Sequence, residues 1–371
     1  AYEIRPRDWS SDVCSSDLGQ QTVTIGTQHL EFDASVENVA LVDSAAMTAL
    51  VTASASSMQF DTVNFSVAAS GITDIRNAVI NIANGKFSLT TVGILGVLQT
   101  SVQSHEINNS GTGTQANVTV TAAGDLRVGG TGISSSGGTI TITAAATGNA
   151  SILMDDSVII DAGAGNVVIS APGNITLASI QTTTGTITIT STSGSILDGS
   201  DLNPNLVGGT GSSYALRAAG GIGTTADPLE TAVSVLAFQN TTGDVSIRNT
   251  GGLRIASVDG LTSSTNSGTT TLTATSPIVF AVSTTQTALL VQATESAQAN
   301  YDSITVNPGV TVTATGGNLV FEAGDGILVS SGASVIANTG EIIFRSGQND
   351  TDADGGMTLN GTIQALTRGQ T

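Results

Sequence analysis

Lysine, arginine, histidine, cysteine and the aromatic residues are all scarce in this 371-residue chain, and each scarcity closes a class of function. One Cys and two His leave no material for a disulfide framework or for a zinc site built on those residues. Ten Lys and Arg stand against 29 Asp and Glu, a net charge of −19. A nucleic-acid binder needs a basic stripe to neutralise phosphates, and none exists here. The same deficit argues against docking on an anionic membrane. Charged residues are only 11% of the chain, so the acidity reflects missing cations rather than dense acidic blocks. The longest apolar runs, such as Val92 to Leu98, are broken by Gly. They fall far short of the roughly 20 residues that span a bilayer as a helix, so no membrane insertion is expected in this segment.

Ala1 to Leu18 (AYEIRPRDWSSDVCSSDL) differs from everything downstream and holds the only Trp (Trp9), the only Cys (Cys14), Arg5 and Arg7. Back-translated in frame, Arg7 to Leu18 resembles a standard short-read sequencing-library adapter. Ala1 to Ile4 fits the adapter's outer end, and the residues between span its variable index. Residues 1–18 are therefore set aside as a cloning-type scar. The expectation is that the gene runs off its fragment upstream, taking any signal peptide with it. From Gly19 onward 25 acidic residues face 8 basic ones.

What the chain does contain is Gly, Ser, Thr, Ala and Asn, with Val and Ile recurring throughout, which a disordered linker would lack. A unit repeats: Gly or Asn, then alternating aliphatic and small polar residues, then another Gly-rich corner. Instances begin at Gly124, Gly138, Asn166, Asn174, Gly185, Gly243, Gly317 and Gly340. GTITIT occurs at Gly138 and again at Gly185, 47 residues on, while the units at Gly317 and Gly340 lie 23 apart. These spacings predict an all-β parallel β-solenoid with coils of roughly 20–25 residues.

The local chemistry agrees. Alternation in Thr139-Ile140-Thr141-Ile142 sends Ile to one face and Thr to the other, and both favour strands. Gly and Asn at the corners are expected to supply the positive φ of sharp turns. One coil cannot bury its own aliphatic face, so coils must stack; some fifteen at about 4.8 Å make a rod of roughly 70 Å. Residues 19–110 are expected to form a less regular solenoid segment and 111–371 the regular repeats. Longer corners or seams between stacks fall near 200–213 and 296–307. Ile75 to Ala83 reads as a strand pair or a helical turn. Leu229, Ala232, Val233 and Leu236 follow Pro228 at helical spacing, yet the surrounding pattern favours strand.

Sites are few. Asp350, Asp352, Asp354 and Gly355 give D-x-D-x-D-G, which resembles the opening of calcium loops; alternate carboxylates converge on a hard cation and Gly allows the turn. Ca²⁺ at this loop is the one cofactor the sequence offers. The bidentate acid expected at loop position twelve is Gly361, however, and a solvated acidic corner between Phe344 and Met357 is the simpler reading. Asp155, Asp156 and Asp161 read as a second solvated corner, and Asp198, Asp201 and Asp227 as scattered acids. Gly324-Asp325-Gly326-Ile327 is only a fragment of the calcium-binding nonapeptide of toxins. Asn203-Pro204-Asn205-Leu206 is a chance likeness to a secretion-domain motif. His29 and His105 have no nucleophile motif beside them. Arg127, Arg217, Arg248 and Arg254 fall singly within strands, and no catalytic constellation is expected.

Asn174 to Gly199 and Gly220 to Asp259 resemble repeats of filamentous haemagglutinin-like exoproteins and autotransporter passengers. The likeness is good over 117–258 and 309–363 and weaker before 110. The resemblance implies a right-handed parallel β-helix, export to the bacterial surface, and adhesion or biofilm roles. It carries no functional residue across, since no adhesive motif such as Arg-Gly-Asp occurs. The first expectation is a structural and adhesive stalk whose partners are surface glycans or proteins. Carbohydrate-active β-helix enzymes and tandem Ca²⁺-dependent cadherin-like or Ig-like modules are the alternatives. A solenoid segment with an uncapped end is expected to associate end to end.

Overall fold

The computed structural model describes residues 117–366 except 123, 130–131, 145–147, 200–202, 297–300 and 350–354, and before them the strands at 22–23, 38–42, 58–62, 64–69, 78–82, 87–91 and 106–109. The described residues contain no helix. Their strands form two long sheets in which each strand pairs in parallel with its counterparts one coil before and one coil after. This is a parallel β-solenoid. On one face, fifteen strands follow one another from Thr22–Val23 to Gly356–Leu359, so at about 4.8 Å a step the stack is roughly 70 Å long. An array of cadherin-like or Ig-like modules would instead carry antiparallel sandwiches.

Strand chemistry follows the alternation closely. In Ile140–Ala144 the residues Ile140, Ile142 and Ala144 are buried and the intervening Thr residues are half-buried on the outer face. The same residues stack in register as Val118, Ile140, Val167 and Ile187, all fully buried. Fully burying each such side chain contributes about 1.5–3 kcal/mol, which is why one coil alone does not fold but a stack does. The core runs without a break along the axis and gains bulk further on, where Phe280, Phe321 and Phe344 stack with ring centroids 5.8 and 5.5 Å apart.

Individual coils vary about the expected 20–25 residues. The two GTITIT units are two coils apart, but those coils are unequal: Ile140 pairs with Val167, and Val167 with Ile187. Elsewhere a single coil takes 19 residues, between Thr273 and Gln292, or 30, between Gln292 and Glu322. The strands hold their length while the corners absorb the difference, because an outward loop leaves the ladder untouched. Strands on both sides of residues 200–202 remain in one ladder, with Ile180 paired to Leu206 and Ile196 to Ile222. Leu229–Ala232 and Val235–Asn240 are two strands. The helical-looking spacing arises where buried Val233 occupies the corner between them and shifts the phase of alternation.

Among the described residues the cross-section changes after Val235–Asn240. From Val118–Ala122 up to Val235–Asn240, one face carries a single strand per coil and the other carries two short ones. Val245–Asn249 then merges the two short columns, pairing with Gly221–Ile222 through Val245 and with Leu229–Ala232 through Ile247 to Asn249. The opposite column splits into Leu253–Ile255 and Ser264–Asn266. Backbone groups leave the ladder at such a junction, and buried asparagines take them up. The Asn249 Oδ1 accepts from the Thr231 hydroxyl at 2.8 Å and the Val233 N–H at 3.0 Å, while the Asn240 amide donates to Asn266 Oδ1 at 2.8 Å.

Corner Asn and Asp residues act differently from the expectation. Among the described residues only Asp259 and Asn349 combine a side chain with positive φ. The recurrent corner acceptors instead staple one coil to the next: Asn117, Asp125, Asn166, Asn174, Asp244 and Asn318 each accept the N–H of a residue 20 to 26 positions later, at 2.8–2.9 Å. A short side-chain acceptor reaches the N–H above it without bending the backbone, which is the physical use of Asn here.

Candidate functional site

The outer faces are built from ladders of small hydroxyl residues and cross-coil ion pairs. Four of the arginines lie beside an acid on a neighbouring coil or loop: Arg127 with Asp155 at 2.7 Å, Arg217 with Asp259 at 2.9 Å, Arg248 with Glu230, and Arg345 with Glu322. Glu230 and Arg248 are directly opposite in register, as are Glu322 and Arg345. Thr273, Gln292 and Glu322 extend the latter into a polar row, with the Gln292 amide donating to Glu322 at 2.8 Å. Surface pairs of this kind are each worth little, about 0–1 kcal/mol, and serve register more than stability.

Several of the acidic residues singled out above have a definite place, while Asp201 lies outside the described residues. Asp155 and Asp156 line a shallow surface depression with Arg127, Leu153 and Met154, and Asp155 is held by Arg127. Asp161 accepts the Gly163 N–H at 2.8 Å and shapes its own turn. Asp198 accepts from the amide of Asn205 at 2.7 Å. Asn205 itself is buried, and its amide also reaches the carbonyls of Leu177 and Ala178, so within Asn203 to Leu206 the residue is a structural staple. Asp350, Asp352 and Asp354 lie outside the described residues, as do His29, His105 and residues 1–18.

The structure brings together a different set of acids. Glu295 follows the strand Ala288–Ala293, Asp302 precedes Ile304–Val306, and Asp325 occupies the equivalent corner one coil later, between Leu319–Ala323 and Gly326–Val329. In-register pairing of Ala293 with Ala323 and of Ile304 with Ile327 stacks these corners. One carboxylate oxygen from each of the three lies within 4.8 Å of the others. Asp302 and Asp325 are buried, with 0% and 1% exposure, and Glu295 is half-buried.

Backbone donors fix the geometry. Asp325 Oδ2 accepts the N–H groups of Tyr301 and of Asp302, the latter at 2.7 Å, and Asp302 Oδ2 accepts the Ser296 N–H at 2.5 Å. The opposite oxygen of Asp302, Oδ1, is buried and meets no hydrogen-bond donor among the described residues. Gly324 makes the room: a Cβ there would lie 2.6 Å from Glu295 Oε2 and 2.7 Å from Glu295 Cα. The carbonyl of Asp325 accepts from both Gly347 and Gly356.

Sequence reasoning passed over this cluster. Asp302 stands in, and Glu295 just before, the segment 296–307 read only as a loop or seam, and Asp325 in a fragment set aside for lacking repetition. The usable signal was that Asp325 falls one coil from Asp302, a relation visible only once the register is known. A parallel β-solenoid with hydroxyl-rich outer faces and one buried carboxylate corner is the class this fold defines. The chain matches no family model, no curated protein and no solved structure.

Proposed function

We propose that this chain is a stalk segment of a large bacterial exoprotein, secreted or displayed at the cell surface, of the filamentous haemagglutinin-like or autotransporter-passenger kind. In this reading it acts in attachment or biofilm formation without catalysis. The observation that carries it is the unbroken parallel ladder, one polypeptide turned into a stack roughly 70 Å long by residues that do little besides stacking. Supporting it are the corners, which vary in length from coil to coil while the ladder keeps its register. Such a rod holds variable loops at a distance from its point of attachment, and contacts to surface glycans or proteins fall to those loops. The arginines paired with acids on adjacent coils fit a scaffold better than a substrate groove.

The test is the intact reading frame. Long-read sequencing across the junction of Leu18 and Gly19 is expected to return an export signal upstream and a translocator or cell-wall anchor downstream. A short frame joined to a catalytic module overturns the stalk reading.

A further inference from the structure

We propose that Glu295, Asp302 and Asp325 form a Ca²⁺ site that ties two successive coils of the solenoid together. Three carboxylates converge within 4.8 Å, two of them buried. Like charges so close in a dry corner oppose folding strongly unless something of opposite sign joins them. Asp302 Oδ1 is the sharpest indicator, a fully buried oxygen in the cluster with no donor among the described residues, beside an Oδ2 already bound to a backbone N–H.

The donor set selects the ion. All three donors are carboxylate oxygens, the preference of hard cations rather than of zinc or copper. Ca²⁺ takes oxygen ligands at about 2.3–2.6 Å in a flexible shell, which suits three carboxylate oxygens lying within 4.8 Å of one another. Water supplies the remaining ligands of a six- to eight-coordinate ion. Because Glu295 and Asp302 belong to one coil and Asp325 to the next, the ion adds a link along the stacking axis beside the backbone bonds from Gly324 to Ala293 and from Asp325 to Asp302.

Tb³⁺, which replaces Ca²⁺ and emits when a nearby phenol is excited, tests the site in the full chain, since Tyr301 adjoins Asp302. Sensitised emission displaced by Ca²⁺ is expected in the wild type and in the D350N/D352N/D354N variant, and is expected to vanish in Tyr301→Phe and in Asp302→Asn. In the wild type, saturating Ca²⁺ should also raise the melting temperature by about 4 °C over the chelated protein. Emission that survives Tyr301→Phe or Asp302→Asn overturns the assignment, as does emission lost only in the triple variant. An unchanged melting temperature overturns it even where Asp302→Asn fails to fold.

Discussion

A Cβ at Gly165 would lie 1.9 Å from the carbonyl oxygen of Gly138, and one at Gly185 would lie 1.8 Å from that of Gly165. These glycines stand in a column before successive strands, and what they supply is close approach of backbones. Gly165→Ala is therefore expected to cost at least about 2 kcal/mol in denaturant unfolding, as overpacking does. Gly252→Ala, which meets only Pro277 at 3.7 Å or beyond, should stay within about 0.5 kcal/mol of wild type. Tyr214 offers a second residue-level test. It is buried in the core, and burial pushes its phenol above the ordinary value of 10.0, against a smaller lowering by the Ser212 hydroxyl. Below pH 10 both folded and unfolded chains keep the proton, so this contribution to stability is complete there. It is lost as the pH climbs past 10, because the unfolded chain ionises first. Urea midpoints taken from pH 8 to 11 should fall more steeply for wild type than for Tyr214→Phe. Equal slopes would sink the idea.

At the scale of elements, the split of the single-strand column releases extra chain between Leu253–Ile255 and Ser264–Asn266, and that chain folds back as a small flap. Val258 and Leu261 pair across Asp259 and Gly260, both at positive φ, in the manner of a two-residue hairpin. The flap covers Ala215 and Ala237 on the outside of the sheet, and Asp259 takes the Arg217 guanidinium at 2.9 Å and the Thr188 hydroxyl at 3.1 Å. Gly260→Val, which forces a branched residue to φ near 78°, should cost about 1–2 kcal/mol and expose the flap. Limited proteolysis is expected to cut between 256 and 263 faster in Gly260→Val and in Arg217→Ala, with far-UV circular dichroism unchanged. Resistance equal to wild type would mean that the flap is not held this way. The strands themselves were legible: period-two alternation of Ile and Thr in a Gly-punctuated chain names both the element and its buried face. The Asp259-Gly260 turn between two aliphatics was legible too, and was missed amid the stronger repeat. Corner lengths were not legible, since nothing local fixes how far a loop wanders before the ladder resumes. The carboxylate corner was hidden for the same reason, because Asp302 meets Asp325 only through the register that sets coil against coil.

For the molecule as a whole, a ladder buries each coil against the next, and the coil at the end of the described stack makes the contrast plain. Met357, Leu359 and Ile363 pair with Ile327, Val329 and Val335, which are 2%, 0% and 0% exposed, yet they are themselves 45%, 42% and 38% exposed, and Leu366 is 53% exposed. Among the described residues, Gly356–Leu359 and Thr362–Ala365 pair on one side only. Open parallel edges with apolar side chains above a core invite another copy. Covering these four side chains recovers part of the roughly 1.5–3 kcal/mol that full burial of each provides. Opposing this is the net charge of −19, which repels a second copy at low ionic strength and is screened as salt is added. The full chain is therefore expected to associate end to end, to a degree that rises with both protein and salt concentration in multi-angle light scattering. Leu359→Lys with Ile363→Lys should lower it by placing charge on the exposed coil. A monodisperse monomer at high protein and salt concentration would show that the edge is protected. Association unaffected by the two lysines would place the contact on the hydroxyl-rich sides instead.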